Sequence, residues 1–359
     1  MTAANPVPPG ATIGILGGGQ LGRMTALAAA NLGYRCHVFA PDAESPAAAV
    51  SAAWTRAAYD DHDALAAFAA AVDVVTYEFE NVPVACAEFL APRVPVRPGA
   101  ELLRVAQHRG REKTFFAGIG VATAPFALAA TEAEFVAAVR SVGAPCVAKT
   151  TTEGYDGKGQ ARIDAASDLP AVWARLGGRE LIVEGFVDFA AEASVIAARG
   201  VDGTTSCFPV GRNVHRDGIL HTTTLPGGFD AATLRRAEEI GRATAEAFDL
   251  VGLVCVELFV TRDGGVLANE MAPRPHNSGH WTQDCCVTSQ FEQLVRAVCG
   301  LPLGPVTMRG AGASMTNLIG DEAAEWRRFL AEPDAKLHLY GKRDSRPGRK
   351  MGHVNRWRV

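Results

Sequence analysis

An apolar run at 11–16 (Ala-Thr-Ile-Gly-Ile-Leu) predicts a strand, and Gly17 to Gly22 a turn. Apolar positions at helical spacing follow from Arg23 to Asn31 and stop at Gly33. Residues 34–39 predict a second strand, 64–71 an alanine-rich helix and 72–76 a third strand. Strands alternating with helices predict a parallel sheet with helices on both faces. Pro92, Pro95 and Pro98 then interrupt the pattern, and a boundary is expected near residue 105.

The next segment reads as α+β. A helix is expected over 131–142, opened by a capping box at Thr131 and Glu134. Strands are expected at 146–150, 181–184 and 192–198, and a long helix at 231–248. Two strands, 252–260 and 266–271, read as a hairpin; from about residue 305 a short segment ends in a basic tail.

Composition narrows the class. A chain of 359 residues allows two or three domains. With 48% hydrophobic and 21% charged residues, it is not a disordered polymer. Lys and Arg number 35 against 39 Asp and Glu, a net charge of −4, which argues against general nucleic-acid binding. Every alanine-rich stretch is broken well before the roughly 18–20 apolar residues a membrane span needs. The opening MTAANPVPPG lacks the basic-then-apolar order of a secretory signal. None of the eight cysteines forms a C-x-x-C pair, so buried free thiols in a reducing cytosol are expected.

Candidate chemistry starts at the hairpin. Asp263-Gly264 signals a two-residue turn, and pairing outward from it sets Glu257 directly across from Glu270. Like charges in that position destabilise a sheet, and Glu257 lies on an otherwise apolar strand. A divalent cation relieves both problems; carboxylates plus substrate phosphates suit Mg2+, with Mn2+ also possible. The alternative is a solvated face carrying incidental charges.

Two glycine-rich loops follow strands. In 150–160, Gly154, Gly157 and Gly159 would let backbone N–H groups approach phosphates, with Lys149 and Lys158 supplying charge. The loop is not a Walker A motif, and alone it could be a surface hairpin. Together with a Mg2+ site it predicts nucleoside triphosphate chemistry. Gly17, Gly19 and Gly22, with Asp42 further on, fit a dinucleotide fingerprint. Such a turn at a helix N-terminus would equally hold one phosphate or carboxylate.

Longer motifs carry a resemblance. Residues 15–24 (ILGGGQLGRM), 76–83 (TYEFENVP), 154–160 (GYDGKGQ), 269–280 (NEMAPRPHNSGH) and the tail around Lys342 resemble, in order, the N5-carboxyaminoimidazole ribonucleotide synthetases. These are ATP-grasp enzymes of purine biosynthesis. The resemblance implies an α/β and α+β chain with an ATP-grasp fold. Its parts would be an N-terminal Rossmann-like parallel-sheet domain (1–105), a two-lobed ATP-grasp domain (106–305) and a small C-terminal subdomain (306–359). Bicarbonate would attack the γ-phosphate of ATP, and the carboxyphosphate formed would carboxylate 5-aminoimidazole ribonucleotide. A cytoplasmic homodimer is also implied.

Residue roles follow from the same resemblance. Arg109 and Lys149 would meet ATP phosphates, and Gly154, Tyr155, Asp156, Gly157, Lys158, Gly159 and Gln160 would close over them. Glu184, Gly185, Phe186 and Val187 resemble the adenine segment. Glu192 resembles the ribose-hydroxyl acceptor, and His215 a nucleotide contact. Asn269 adjoins the metal ligand Glu270. Arg274 and His276 would sit where carboxyphosphate forms, with Asp156 as a further catalytic candidate. Tyr155, Asp156, Arg274, Gln20 and Glu78 are substrate candidates. Lys342, Arg349 and Lys350 match the substrate-phosphate cluster within a tail of seven Lys or Arg and one Asp (Asp344); Arg356 and Arg358 read as a solvated face.

Three other readings stand beside this one. One is an NAD-dependent dehydrogenase using the first glycine loop. Another is a sister ATP-grasp enzyme, such as a formate-dependent glycinamide ribonucleotide transformylase or a biotin carboxylase. The third is a non-catalytic nucleotide-binding protein.

Overall fold

The computed structural model describes residues 6–152 and 159–358. Its first sheet is four-stranded and parallel, in the order Ala53–Thr55, Arg35–Phe39, Thr12–Leu16, Val74–Tyr77. Ile13, Ile15, Val38, Val74 and Val75 are wholly buried, as expected of parallel strands covered on both faces. The first helix runs Gln20–Asn31 and so begins inside the glycine turn, before the apolar spacing starts.

A second sheet packs Phe126–Ala129, Leu181–Gly185, Cys146–Thr150 and Gln160–Ile163 antiparallel, in that order. The helix Glu132–Val142 lays Phe135 and Val139 on it. Thr131 caps this helix through the Glu134 N–H. The Glu134 carboxylate takes the Ala130 N–H, one residue further back than a capping box requires.

The third sheet has nine strands. Its main path is Val266–Ala272, Gly252–Thr261, Phe189–Arg199, Gly211–Arg216, Ile219–Leu225, Gly312–Ile319, Lys350–Arg358, Ala335–Leu339. The two-residue period of a strand divides its side chains cleanly. Val195, Ala197, Val254 and Val256 pack with Ala237 and Ile240 of the helix Ala231–Ala247. Ile196, Ala198, Leu253 and Cys255 pack with Leu294 and Val298 of the helix Gln290–Cys299. By the same alternation Glu192 and Glu257 belong to the second face.

Two further expectations are corrected here, besides the capping box. The hairpin turn is not two-residue: Thr261 N–H bonds Gly265 O, Gly264 N–H bonds Thr261 O, and Gly264 has φ +86°. This is the longer loop in which a left-handed glycine closes a type I turn. It shifts the ladder by one, so that Val260 pairs Val266 and Leu258 pairs Ala268. A bulge then shifts it back, and Glu257 pairs Glu270. The C-terminal segment is also more than a basic tail. Lys350–Arg358 lies between two other strands, with Val354 and Asn355 wholly buried. Arg356 is ion-paired with Glu332, at 2.6 Å, rather than simply solvated.

All eight cysteines lie among the described residues and are free, all but Cys207 buried. No described helix is long and apolar enough to cross a membrane.

Candidate active site

The three sheets meet around a cleft of about 780 Å³. It is lined by Gln20, Glu78, Arg109, Lys149, Gln160, Glu192, His215, Glu257, Asn269, Glu270, Arg274, His276, Lys342, Arg349 and Lys350. Tertiary structure thus brings together candidates spread over more than three hundred positions. Gly159, Glu184, Gly185, Phe186 and Val187 are described but lie outside that lining. Gly154, Tyr155, Asp156, Gly157 and Lys158 lie outside the described residues.

The lining includes the carboxylate pair Glu257 and Glu270. Glu257 Oε1 is 3.0 Å from His276 Nε2. The other ring nitrogen, Nδ1, lies 2.8 Å from Ser278 Oγ, to which Ser194 Oγ donates at 2.7 Å. Burial works against a charge on Glu257, but His276, with His215 and Lys350 behind it, holds its pKa at about 2. Glu270 is pushed upward, by burial and by the charge of Glu257. Two facing carboxylates, one of them destabilised by the other, form an oxygen donor set suited to a hard cation.

Beside the pair, Lys149 Nζ donates to Glu184 Oε2 at 2.6 Å. Glu184 therefore acts inside the protein as the anchor of Lys149, beneath the cleft surface. Phe186, just past it, is exposed, with the Arg162 guanidinium over its ring. Arg109 Nη1 donates to Thr150 O at 3.2 Å. The expected ribose acceptor Glu192 is joined to the expected nucleotide contact His215 at 2.8 Å. Burial lowers the His215 pKa, and the hydrogen bond and charge of Glu192 outweigh that, for a net rise.

The first glycine loop is filled by the protein itself. Glu78, at the end of the strand Val74–Tyr77, accepts N–H groups from Gly19 (2.7 Å), Leu21 (3.1 Å) and Gly22 (3.1 Å). A Cβ on Gly19 would fall 2.7 Å from Glu78 Oε1, so glycine there admits the carboxylate. Of the two ligands such a turn could hold, the structure provides the carboxylate. The dinucleotide reading is corrected for that reason, because the donors that would take a pyrophosphate are already bonded.

Glu80 was not singled out from sequence, although it lies inside the 76–83 motif. Its carboxylate hydrogen-bonds the Arg274 guanidinium, whose Nη1 also donates to Pro275 O at 3.0 Å. Arg274 is thereby held to the first sheet as it leaves the hairpin. The signal available was the like-charged spacing of Glu78 and Glu80 on one loop, which alone names no partner.

In the C-terminal part of the lining, Lys342 Nζ donates to Lys350 O at 2.8 Å and lies 5.6 Å from the centre of the Tyr340 ring. Burial, then the charges of Arg349 and Lys350, bring the Lys342 pKa down to about 8. Arg349 Nη1 donates to Asp344 O at 2.7 Å, and Glu44 accepts the Arg343 N–H at 2.6 Å. The cationic loop is thus tied to the loop that follows the strand Arg35–Phe39, and it lines the same cleft as Gln20 and Glu78.

Three family models match in order: a ribonucleotide synthetase preATP-grasp domain over 10–107, an ATP-grasp domain over 114–291, and a phosphoribosylaminoimidazole carboxylase C-terminal domain over 313–358. The N5-carboxyaminoimidazole ribonucleotide synthase of Brucella melitensis is 48% identical, with 97% of this chain and 96% of that protein covered. The Bacillus subtilis synthase is 42% identical, covering 96% and 91%. A bifunctional purine synthesis protein of Dictyostelium discoideum is 44% identical over 97% of this chain, which spans 37% of that longer protein. Among solved structures, the ADP complex of an N5-carboxyaminoimidazole ribonucleotide synthetase superposes with a TM-score of 0.95 at 41% identity, covering 99% of this chain and 94% of that one. An Aspergillus clavatus synthase in complex with ADP and 5-aminoimidazole ribonucleotide gives a TM-score of 0.89 at 30% identity, covering 97% and 93%. The chain belongs to the N5-carboxyaminoimidazole ribonucleotide synthase family of ATP-grasp enzymes.

Proposed function

We propose that this enzyme uses ATP to carboxylate the exocyclic amine of 5-aminoimidazole ribonucleotide with bicarbonate. A bicarbonate oxygen attacks the γ-phosphorus and ADP leaves. The amine then takes the carboxyl group of carboxyphosphate, directly or as CO2, releasing phosphate and a proton. The observation that carries this reading is a single cleft that gathers a carboxylate pair and Lys149 together with a second set of cations, Lys342, Arg349 and Lys350. That complement of charge suits a metal-bound triphosphate and a phosphate monoester held in one cleft.

The chain's own residues would divide the work as follows. Arg109 and Lys149 take triphosphate oxygens, with Glu184 fixing the direction of Lys149. Glu192 accepts the ribose hydroxyls, and Arg274 and His276 offer fixed positive charge to the transferring phosphoryl group. Gln20 and the cationic loop hold the ribonucleotide. Glu257 and Glu270 would hold Mg2+, or Mn2+ in its place; both are oxygen donors, and no cluster of three or more His, Cys, Asp or Glu suited to a metal occurs among the described residues. When bound, that ion would neutralise charge building up on the phosphates. The 154–160 loop would serve the nucleotide phosphates, and Tyr155 and Asp156 are proposed as substrate contacts. A boundary near 105, another near 305, a homodimer and a cytoplasmic location complete the proposal.

The test is ADP release coupled to NADH oxidation. It should require ATP, bicarbonate and 5-aminoimidazole ribonucleotide together, stop in EDTA, and fall about 100-fold or more in Glu257→Gln. ADP release that formate supports in place of bicarbonate, or that survives EDTA, would refute the proposal.

A further inference from the structure

The strand Val266–Ala272 is an edge of the nine-stranded sheet. Half of its peptide groups face away from its one strand partner, and buried peptide groups need partners of their own. Ala268 N–H donates to Ala122 O at 2.8 Å. Lys113 Nζ donates to Asn269 O at 2.8 Å, and Glu112 Oε1 accepts the Met271 N–H. Glu112 and Lys113 are neighbours on the helix Arg109–Gly118, 2% and 1% exposed. Together they grip the backbone immediately before and after Glu270.

That stretch contains the bulge. Ala268 packs on the face of Val254 and Val256, whereas Ala272 packs on the face of Leu253 and Cys255. An unbroken strand would put residues 268, 270 and 272 on one face. The extra residue, Asn269, is what turns Glu270 toward Glu257. Losing the bulge would slip the pairing by one and return Glu270 to the wrong face. Burying a lysine and a glutamate here is costly by comparison with an apolar pair. An apolar pair, however, could not bind two peptide groups of opposite polarity.

We propose that Glu112 and Lys113 are positioning residues that hold the Asn269 bulge and so keep Glu270 beside Glu257. Lys113 also lies 3.5 Å from Glu184 Oε1, so the same clamp reaches the residue that anchors Lys149. The proposal rests on the reading of Glu257 and Glu270 as cation ligands.

Mn2+ binding to the full chain in the presence of ADP, followed by electron paramagnetic resonance, tests it. Lys113→Met and Glu112→Leu should each weaken Mn2+ binding at least tenfold and leave KM for 5-aminoimidazole ribonucleotide within threefold. Glu112→Gln, whose side-chain carbonyl can still accept the Met271 N–H, should recover most of the affinity. If the unmodified protein binds no Mn2+, the metal reading itself fails. If it does bind, and the folded variants bind equally well, the clamp is refuted. A parallel rise in that KM would mean general loosening of the cleft and would also refute it. Should the variants not fold, hydrogen exchange on the unmodified protein decides: the Met271 amide should exchange as slowly as those of the strand Gly252–Thr261, and rapid exchange overturns the clamp.

Discussion

Glu78 shows how one side chain changes the meaning of a motif. Three backbone N–H groups at the start of a helix form an anion site, and here the anion is covalently part of the chain. Burial is the main influence raising the Glu78 pKa, and the bonds from Gly22 and Gly19 oppose it. Lys342 illustrates the reverse case, a cation made easier to discharge. With its pKa lowered to about 8, it is charged below that pH and loses its proton above it. The kcat/KM for 5-aminoimidazole ribonucleotide should therefore fall on the alkaline side with an inflection near pH 8, by roughly tenfold for the loss of one charged hydrogen bond. Lys342→Arg, which stays charged, should remove that inflection. An identical profile in the variant would show that Lys342 is not the titrating group.

The elements explain which sequence signals were reliable. Short apolar runs such as 12–16 and 146–150 became strands because their buried positions admit little else. The hairpin turn differs from the two-residue expectation, since Asp263-Gly264 suits both a two-residue loop and the longer one that ends in a left-handed glycine. The Glu257–Glu270 pairing came out as expected only because the bulge at Asn269 cancels the longer turn. The basic tail hid a strand: its charged residues suggested a solvated face, while the apolar partners that bury Val354 lie on other elements. Removing residues 341–359 would delete an interior strand and expose the edges of its two neighbours. Such a truncated protein should aggregate on size exclusion rather than show a simple rise in substrate KM. A monodisperse truncated protein that still binds ADP would contradict that placement of the strand.

Across the whole molecule, the site is an inter-sheet assembly. Segments that follow strands of the first sheet contribute Gln20, Glu78 and Glu80, the second sheet contributes Lys149, with Glu184 beneath it, and the third contributes the glutamate pair and the cationic loop. The Glu80–Arg274 ion pair ties the first to the third across 194 positions. Its side chains are 24% and 13% exposed, so solvent screens it only in part. Glu80→Gln should lower stability by about 1–3 kcal/mol, less than a fully buried pair would give, together with a drop in kcat. Urea denaturation of the single variants and of Glu80→Gln/Arg274→Gln measures the coupling; strictly additive effects would show the ion pair to be energetically idle.

By itself the sequence determined the local matters: where most strands and helices run, which motifs carry phosphate and carboxylate chemistry, and which family those motifs resemble. These depend on residue type and on spacing within one element, both of which a linear string contains. Tertiary structure alone decided that Glu78 fills the first glycine loop, that Glu80 holds Arg274, that Glu184 anchors Lys149, and that the tail enters the central sheet. Each of those depends on a partner tens to hundreds of residues away, and hydrogen bonds and ion pairs form between neighbours in space whatever their separation along the chain.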